Sequence, residues 1–315
     1  MSLEVIEANG LVTVQDAGRK GWRQVGVPGS GPMDSFALQA ANALAGNPIK
    51  SAAIEIGLSD VTFQAIQNCV IAITGTGYQL SIYIWEFPLW SSFFVRAGWK
   101  VSFNKTDDGM WVYIAVSGGV QTQPVLGSRS TYLRGALGGF QGRRLQAGDV
   151  IKTAKSSHLG SELAARTFPE EERPAYTQNP TIDVIMGPQT NYFTNESLED
   201  FLSKEYSVSL TSDRMGYRLE GPALTQRNKT ELISEGMTFG AIQVPPNGQP
   251  IVMMADSPTT GGYPKIGTVI SADLPLLAQC IPNKSKIRFR KATVVKARKK
   301  YQVLMSGLNR VVEEE

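Results

Sequence analysis

From residue 54 onward the apolar residues come in short runs, and turns interrupt them before a helix-length stripe can build up. Ile54–Ile56, Val61–Phe63, Val70–Ile73, Ile82–Ile84, Phe93–Val95, Val101–Phe103 and Val112–Val116 follow one another, rich in β-branched and aromatic residues. Runs this short, broken at this spacing, indicate strands of an all-β or β-rich barrel and not alternating βαβ units. The first segment, Val5–Ile6 through Leu11–Val14, also reads as extended and is interrupted at Asn9-Gly10. One clear helix stands apart. Asp34 or Ser35 caps it, Phe36, Ala37, Ala40, Ala41 and Leu44 recur at helical spacing, and Gly46 ends it.

At 315 residues the chain is long for one core and comfortable for two. Composition shifts between Lys155 and Pro180, where Phe168-Pro-Glu-Glu-Glu-Arg-Pro174 is charged, proline-bearing and without periodicity. This predicts an N-terminal domain over 1–155, a linker over 156–180 and a C-terminal domain over 181–315. In the second region Thr194 caps a short helix carrying Leu198, Phe201 and Leu202. Asn247-Gly248 supplies a hairpin turn before a buried strand, Ile251–Ala255. Arg19–Gly26 and Arg214–Gly221 share an Arg-Gly-aromatic-Arg-Gly pattern, and Ala97–Phe103 resembles Asn283–Phe289 as turn then strand. The shared order suggests two related domains; two unrelated Gly-Arg turns explain it as well.

Several function classes fall away. A net charge of +3 does not argue for nucleic acid, and the basic run from Arg288 to Lys300 reads as a solvated strand face or tail. Only Cys69 and Cys280 occur, far apart, so neither a disulfide framework nor a C-x-x-C site is expected, in keeping with a cytoplasmic protein. No apolar run approaches the ~18 residues of a membrane helix, and no signal peptide is expected. The single histidine, His158, lies in the polar stretch Lys155–Ser161. With one histidine and two distant cysteines no metal site is evident, and a Ser-His-Asp or Cys-His mechanism would have to run through a linker. Chemistry here is expected from carboxylates, hydroxyls, arginines and backbone amides.

Three motifs carry that chemistry. Gln15–Arg23, continuing to Asp34, is dense in glycine, which lets backbone amides approach a ligand. Asp16 and Asp34 are candidate acids or bases, and Arg19 and Arg23 candidate anion holders. The motif does not match a Walker loop, and a structural turn with an Asp–Arg pair fits it too. The second motif, Leu126–Arg143, offers the Ser128, Ser130 and Thr131 hydroxyls beside Arg129, suited to a small polar ligand or to an exposed hairpin. The third, Asp256-Ser-Pro-Thr259-Thr260-Gly261-Gly262-Tyr263, follows the buried strand directly. A strand ending in an acid and a Thr-Thr-Gly-Gly loop presents hydroxyls and free amides at a barrel rim, and Gln243 on the preceding strand is placed to join it.

In this order the motifs resemble one family, KipA / allophanate hydrolase subunit 2, whose members are mostly described as the C component of bacterial 5-oxoprolinase. The resemblance runs through Gly10–Arg19, Val27–Asp34, Ala41–Asn47, Gly127–Thr131, Ser212–Gly221, Gly240–Pro245, Thr259–Ile266 and Val269–Pro275. It departs at Pro258, where the family carries a glutamine. What it implies is a mainly β chain of two cyclophilin-like β-barrel domains with a few short helices. It also implies two partners, a KipI-like protein (the B component) and a LamB/YcsF-like protein (the A component). The implied activity is ATP-dependent opening of 5-oxoproline to glutamate, with the chain inactive alone and ATP a co-substrate of the complex. Asp16, Asp34 and Asp256 would be catalytic; Arg19, Arg129, Thr131, Gln243, Thr259, Thr260, Gly261, Gly262 and Tyr263 would bind substrate. The same unit occurs in urea carboxylases, so a carboxyltransferase acting on urea or a related amide is the alternative. This chain has no Met-Lys-Met biotinylation site. A third reading is a KipA-type regulator without turnover.

Overall fold

The computed structural model describes residues 2–155, 160–227 and 232–313. The chain forms two compact units: one takes the chain up to Lys20, Ser30–Pro174 and the chain from Met305 on, the other Gly21–Gly29 and Ala175–Leu304.

In the first unit the strands are β1 (Ser2–Ala8), β2 (Leu11–Gln15), β3 (Ala53–Gly57), β4 (Val61–Ala65), β5 (Cys69–Gly75), β6 (Tyr78–Ile82), β7 (Trp85–Phe87), β8 (Ser91–Val95), β9 (Lys100–Lys105), β10 (Trp111–Val116) and β11 (Val150–Lys152). They pair antiparallel into a six-stranded sheet, β11-β1-β4-β9-β6-β7, and a five-stranded sheet, β2-β3-β10-β5-β8. Leu3, Val5, Phe63 and Phe103 of the first sheet and Val14, Ile56, Ile73 and Ile114 of the second join one buried cluster. Helix α1 (Ser35–Leu44) starts at Asp34, whose carboxylate accepts the Ala37 amide at 3.0 Å. Its apolar side lies on β5 and β10, and Thr74 on β5 donates its hydroxyl to the Ala37 carbonyl at 2.6 Å. That explains why all six residues of β10 are buried: one face meets the sheet core and the other meets the helix.

The expected linker differs in character from what its composition implies. The chain changes unit inside it, at Pro174–Ala175, but residues before that point are packed. Phe168 is fully buried and sits edge-on to Phe36, ring centroids 5.7 Å apart. Glu170–Glu172 form a single 3-10 turn, and Glu172 pairs with Arg310. Of the three glutamates, Glu172 has an ion-pair partner while Glu170 and Glu171 are exposed. Helix α2 (Gly160–Leu163) is short, and His158 lies outside the described residues.

In the second unit, β12 (Thr181–Met186), β13 (Glu205–Val208), β14 (Gly216–Glu220), β16 (Ala241–Gln243), β17 (Ile251–Met253), β19 (Lys265–Val269) and β20 (Lys286–Lys291) close into a barrel, with β15 (Glu235–Gly236) and β18 (Thr260–Gly261) forming a separate two-stranded ladder. Closure removes the free edges an open sheet would leave. Only the β12–β20 pairing is parallel among the barrel pairs. Helix α3 (Asn195–Ser203) begins at Thr194 as expected, and its Phe201 stacks on Phe289 at 4.5 Å. Helix α4 (Leu274–Ala278) is brief. The mainly β class holds; the ladders close fully in the second unit, while in the first they form two sheets. The proposed repeat is uneven: residues 216–220 form β14, whereas the Arg19–Gly26 copy is loop and a 3-10 turn. No helix among the described residues is long and apolar enough to cross a membrane.

The basic C-terminal run is in part the exposed strand face expected, with Arg288 and Arg290 62% and 53% exposed at their side chains, but it is not a tail. It forms β20 and then helix α5 (Val294–Glu313). Asp183, with a fully buried side chain, receives Arg290 on both oxygens at 2.6 and 3.0 Å and the Lys300 ammonium at 3.3 Å. Asp273 accepts the Asp183 amide at 2.7 Å and contacts Lys300 at 2.6 Å. Two buried carboxylates on β12 and before α4 are therefore neutralised by β20 and the first turns of α5.

Burial raises the Asp183 pKa, but the Arg290 bond and the charges of Lys300 and Arg290 outweigh it and hold it below the usual aspartate value. A depressed carboxyl contributes stability that is fully present above the ordinary value of about 4 and is lost as pH falls through the folded value. Asp183→Asn leaves Arg290 and Lys300 facing one carboxylate instead of two and is expected to destabilise the protein by roughly 3 kcal/mol. The variant should also lose part of the wild-type stability decline below about pH 4. Denaturant melts of both proteins from pH 3 to 7 check both outcomes.

Candidate functional site

In the first unit, the Gln15–Arg19 and Ser128–Thr131 segments come together through one carboxylate. Asp16 Oδ1 accepts the hydroxyls of Ser128 at 2.6 Å and Ser130 at 2.7 Å and the Gly18 amide at 2.9 Å; Oδ2 accepts the Arg129 amide at 2.6 Å. Thr131 is tied to β2, its hydroxyl and its amide both donating to the Val14 carbonyl at 2.9 Å. Arg19 is almost fully buried and donates to the Ser130 carbonyl. Gly138 explains the fit: a Cβ there would fall 2.1 Å from Arg19 Nη2. Arg129 reaches Gln121 at 3.1 Å. The fold thus brings Asp16, Arg19, Arg129 and Thr131, from two motifs read separately in the sequence, to one place, where Asp16 is the acceptor that shapes the loop.

Asp34 serves as the cap of α1 and is fully buried. Its amide donates to the Tyr113 hydroxyl, which in turn donates to Glu55 at 2.8 Å. Burial first, then the Glu55 and Asp34 charges, push the Tyr113 phenol far above its ordinary value, so it stays a neutral donor. This is an interior brace.

In the second unit the buried strand expected to reach Ala255 is β17, which ends at Met253, and Asp256 follows it. Asp256 is 5% exposed, and both its oxygens accept from Arg214, Nε at 2.8 Å and Nη2 at 3.2 Å. The Asp256 amide also donates to the Arg214 carbonyl at 2.8 Å. A bidentate pair closed by a backbone bond fixes where the loop leaves the barrel. All three carboxylates expected as acids or bases are thus committed as acceptors.

The Thr259–Tyr263 loop is held by two devices. In the β15–β18 ladder Glu235 opposes Gly261 and Gly236 opposes Thr260. Glu235 is in turn strapped to the barrel, with Lys265 Nζ at 2.5 Å and Gln189 Nε2 at 3.1 Å. The Lys265 and Gln189 bonds hold its carboxyl below the usual range. Gln243 is buried and donates to the Tyr263 carbonyl at 3.1 Å. Gly261 lets the Gln243 amide approach the loop closely: a Cβ would lie 2.4 Å from Gln243 Nε2 and would displace that side chain.

So braced, the loop borders two cavities. Thr259 and Thr260 line one of about 460 Å3 together with Arg23, Gln24, Gly26, Gly236 and Met237. Gly262 and Tyr263 line the other, of about 590 Å3. Arg23 donates to the carbonyls of Met237 at 2.6 Å and Pro258 at 3.2 Å. Burial lowers its pKa, but a guanidinium remains a cation at neutral pH. Sequence reasoning misses Arg214, Gln189, Glu235 and Lys265 as site residues. Arg214 and Lys265 lie inside the motifs quoted above; nothing in the spacing of Gln189 and Glu235 reveals them. Among the described residues no group of three or more His, Cys, Asp or Glu is arranged to hold a metal ion.

Comparison with known proteins gives a consistent picture. Residues 25–291 match the family model for the carboxyltransferase domain, subdomains A and B. The chain is 36% identical over 315 residues to the C component of 5-oxoprolinase from Haemophilus influenzae, covering 99% of each. It is 37% identical to the same 5-oxoprolinase component of Escherichia coli, covering 95% of this chain and 94% of that one. Among solved structures, Kluyveromyces lactis urea amidolyase superposes with a TM-score of 0.91 at 28% identity; the match covers 98% of this chain and 20% of that longer protein.

The Arg214–Asp256 pair makes a separable prediction. Asp256→Asn leaves a buried guanidinium without its counter-charge and should cost about 3–5 kcal/mol. Arg214→Met combined with Asp256→Leu should recover part of that, a coupling that chemical denaturation of the single and double variants measures.

Proposed function

The chain belongs to the carboxyltransferase-domain family, and from that membership we propose that it is one subunit of a 5-oxoprolinase-type enzyme. The observation that carries this reading is the near end-to-end identity with two proteins named as the C component of 5-oxoprolinase. The proposed reaction opens the lactam of 5-oxoproline: the ring C–N bond breaks, water supplies the oxygen of the new carboxylate, and the nitrogen leaves as the amine of glutamate. Hydrolysis of ATP, bound by the assembled enzyme, drives it. KipI-like and LamB/YcsF-like subunits complete the site.

The chemistry of the Arg23 cavity suits a small substrate with one carboxylate. Arg23, in the 3-10 turn Arg23–Val25, supplies a cation, and Thr259 and Thr260, on the loop fixed by the Glu235 strap, supply hydroxyls. In the proposed division of labour this chain binds and positions substrate, which the hydrogen-bonded state of Asp16, Asp34 and Asp256 supports, and proton-transfer groups come from a partner. In this reading Arg129, half-buried beside Asp16, is a second group able to attract an anion. The similarity to urea amidolyase favours one alternative, carboxyl transfer from carboxybiotin to urea or a related amide.

Reconstitution tests this. The chain combined with its two partner types should release glutamate only when both ATP and 5-oxoproline are present, and the chain alone should not. Within the complex, Thr260→Val should lower kcat/KM by about 10–100-fold with little change in Tm. Arg23→Met should act mainly on KM, by roughly tenfold or more, while Lys299→Ala is the neutral control. Turnover by the lone chain, or unchanged kinetics in both the Thr260→Val and the Arg23→Met variants, refutes the assignment. Turnover of urea with carboxybiotin, and none of 5-oxoproline, selects the alternative.

A further inference from the structure

In the first unit an aromatic surface stands apart from the sites described above. Strands β6 and β7 pair Ile82 with Trp85, so Tyr83 and Ile84 alone make the turn between them. Turns this tight favour Asn, Asp and Gly, and Tyr83 takes a φ of +59°, where a bulky side chain is disfavoured. The turn is built against local preference from two large residues, and both face water. Tyr83 is 55% exposed, Ile84 72% and the adjacent Trp85 50%. Departures of this kind gather where a chain is shaped for a role other than stability.

The rings are ordered by contacts within the unit. Tyr83 stacks on Trp99 with centroids 5.4 Å apart and planes 17° apart, and Trp85 meets the same Trp99 edge-on at 6.0 Å. The Tyr83 amide donates to the Lys100 carbonyl at 2.8 Å. The turn that leads into Trp99 is tied down as well: the Gly98 amide donates to the Ala65 carbonyl at 2.7 Å and the Ala97 amide to Asn68 Oδ1 at 2.8 Å. Arg96, itself exposed, holds its guanidinium 5.6 Å from the Trp99 ring centroid. Tyr83, Ile84 and Trp85 together leave roughly 350 Å2 in water, too little for a whole interface of about 800 Å2 per partner but enough for its core. Tyr, Trp and Arg are the residue types that anchor such cores, and rings already fixed lose little freedom on docking.

We propose that this platform is the anchor for a second protein, a partner subunit whose docking face offers an apolar recess for the rings, a carboxylate for Arg96 and a cation for Glu86. Charge favours a different chain over another copy of this one. β7 is the end strand of its sheet, and exposed Glu86 is its middle residue. Symmetric pairing through β7 centred there would set Glu86 against Glu86, and face-to-face docking about a twofold through the platform would bring Arg96 toward its own copy. Glu86 also opposes an anionic lipid surface. The proposal rests on the subunit reading above, drawn from two relatives named as one component of an enzyme, and adds where on this chain the partner sits.

The test titrates the full chain calorimetrically with each of the two partner types of the proposed complex, and follows the lone chain by sedimentation velocity. The double variant Tyr83→Asn, Ile84→Gly supplies residues that the turn prefers, so its Tm should hold or rise, while Kd for one partner should weaken by about 30-fold or more, the effect of losing a hot spot. Trp85→Lys should weaken binding as much and Arg96→Glu by about tenfold. Leu210→Ser, at an exposed apolar position of the second unit, is the control and should bind as the wild type does. Undiminished binding by both the double variant and Trp85→Lys overturns the proposal and leaves the subunit reading intact. No binding of either partner by the wild-type chain also overturns it, and the subunit reading falls with it only if the mixture releases no glutamate. Weakened binding by the variants, with no glutamate released by the wild-type mixture, supports the surface and overturns the proposed reaction. A dimer of the lone chain, or capture on anionic phospholipid vesicles, that Trp85→Lys abolishes gives the platform another occupant and overturns the proposal.

Discussion

The buried Arg214–Asp256 pair is the constraint from which the geometry of the Thr-Thr-Gly-Gly loop follows. Strand β17 delivers the chain to the end of a closed barrel, where the ladder can no longer say in which direction it should leave. Two carboxylate–guanidinium bonds and the Asp256 amide on the Arg214 carbonyl settle that direction. Such a pair is a poor source of net stability, since desolvating both charges offsets most of their attraction. Its value is positional. A planar fork meeting a planar carboxylate tolerates little rotation, so the residues after Asp256 start from a fixed point.

Beyond that point the loop depends on a ladder of two residues per strand, far too short to stand by itself. Fixing Glu235 therefore fixes Gly261. Lys265, on the barrel strand β19, and Gln189, just beyond the end of β12, both hold that carboxylate. Lys265 is 15% exposed at its side chain while Glu235 is 46% exposed, so this bond is partly screened and contributes more to direction than to stability. A loop that must offer hydroxyls and bare backbone to a ligand has few side chains of its own with which to order itself. Order is imported from the barrel through one lysine and one glutamine.

Much of this is legible in the sequence wherever the physics is local. Short β-branched runs mark strands, Asp34 and Thr194 mark helix starts, and Asn247-Gly248 marks a turn. Asp16 and Arg19 in one motif and Arg129 and Thr131 in another, more than a hundred residues apart, are each legible as polar site residues, and they are neighbours in the fold. What stays hidden depends on pairing across the fold. Helix α5 reads as a basic tail because Lys296, Lys299 and Lys300 dominate its first turns, yet Lys300 answers two buried aspartates more than twenty-five residues away in sequence. Leu304, Leu308 and Val311, at helical spacing, are the available signal. The 168–174 segment misleads in the same way, since Phe168 carries the packing and the glutamates around it carry the composition.

The three aspartates show why role is harder to read than position. A carboxylate beside glycine and arginine in sequence looks like a catalytic group with anion-binding neighbours. Yet the same residue type is the best acceptor for stray backbone amides and loop hydroxyls, and each of the three is used so: Asp16 gathers Ser128, Ser130 and the Arg129 amide, Asp34 caps α1, and Asp256 seats Arg214. Functional loops in this chain are therefore built by committing its carboxylates to shape. What they leave facing the two cavities of the barrel unit is one arginine, hydroxyls, amides and rings.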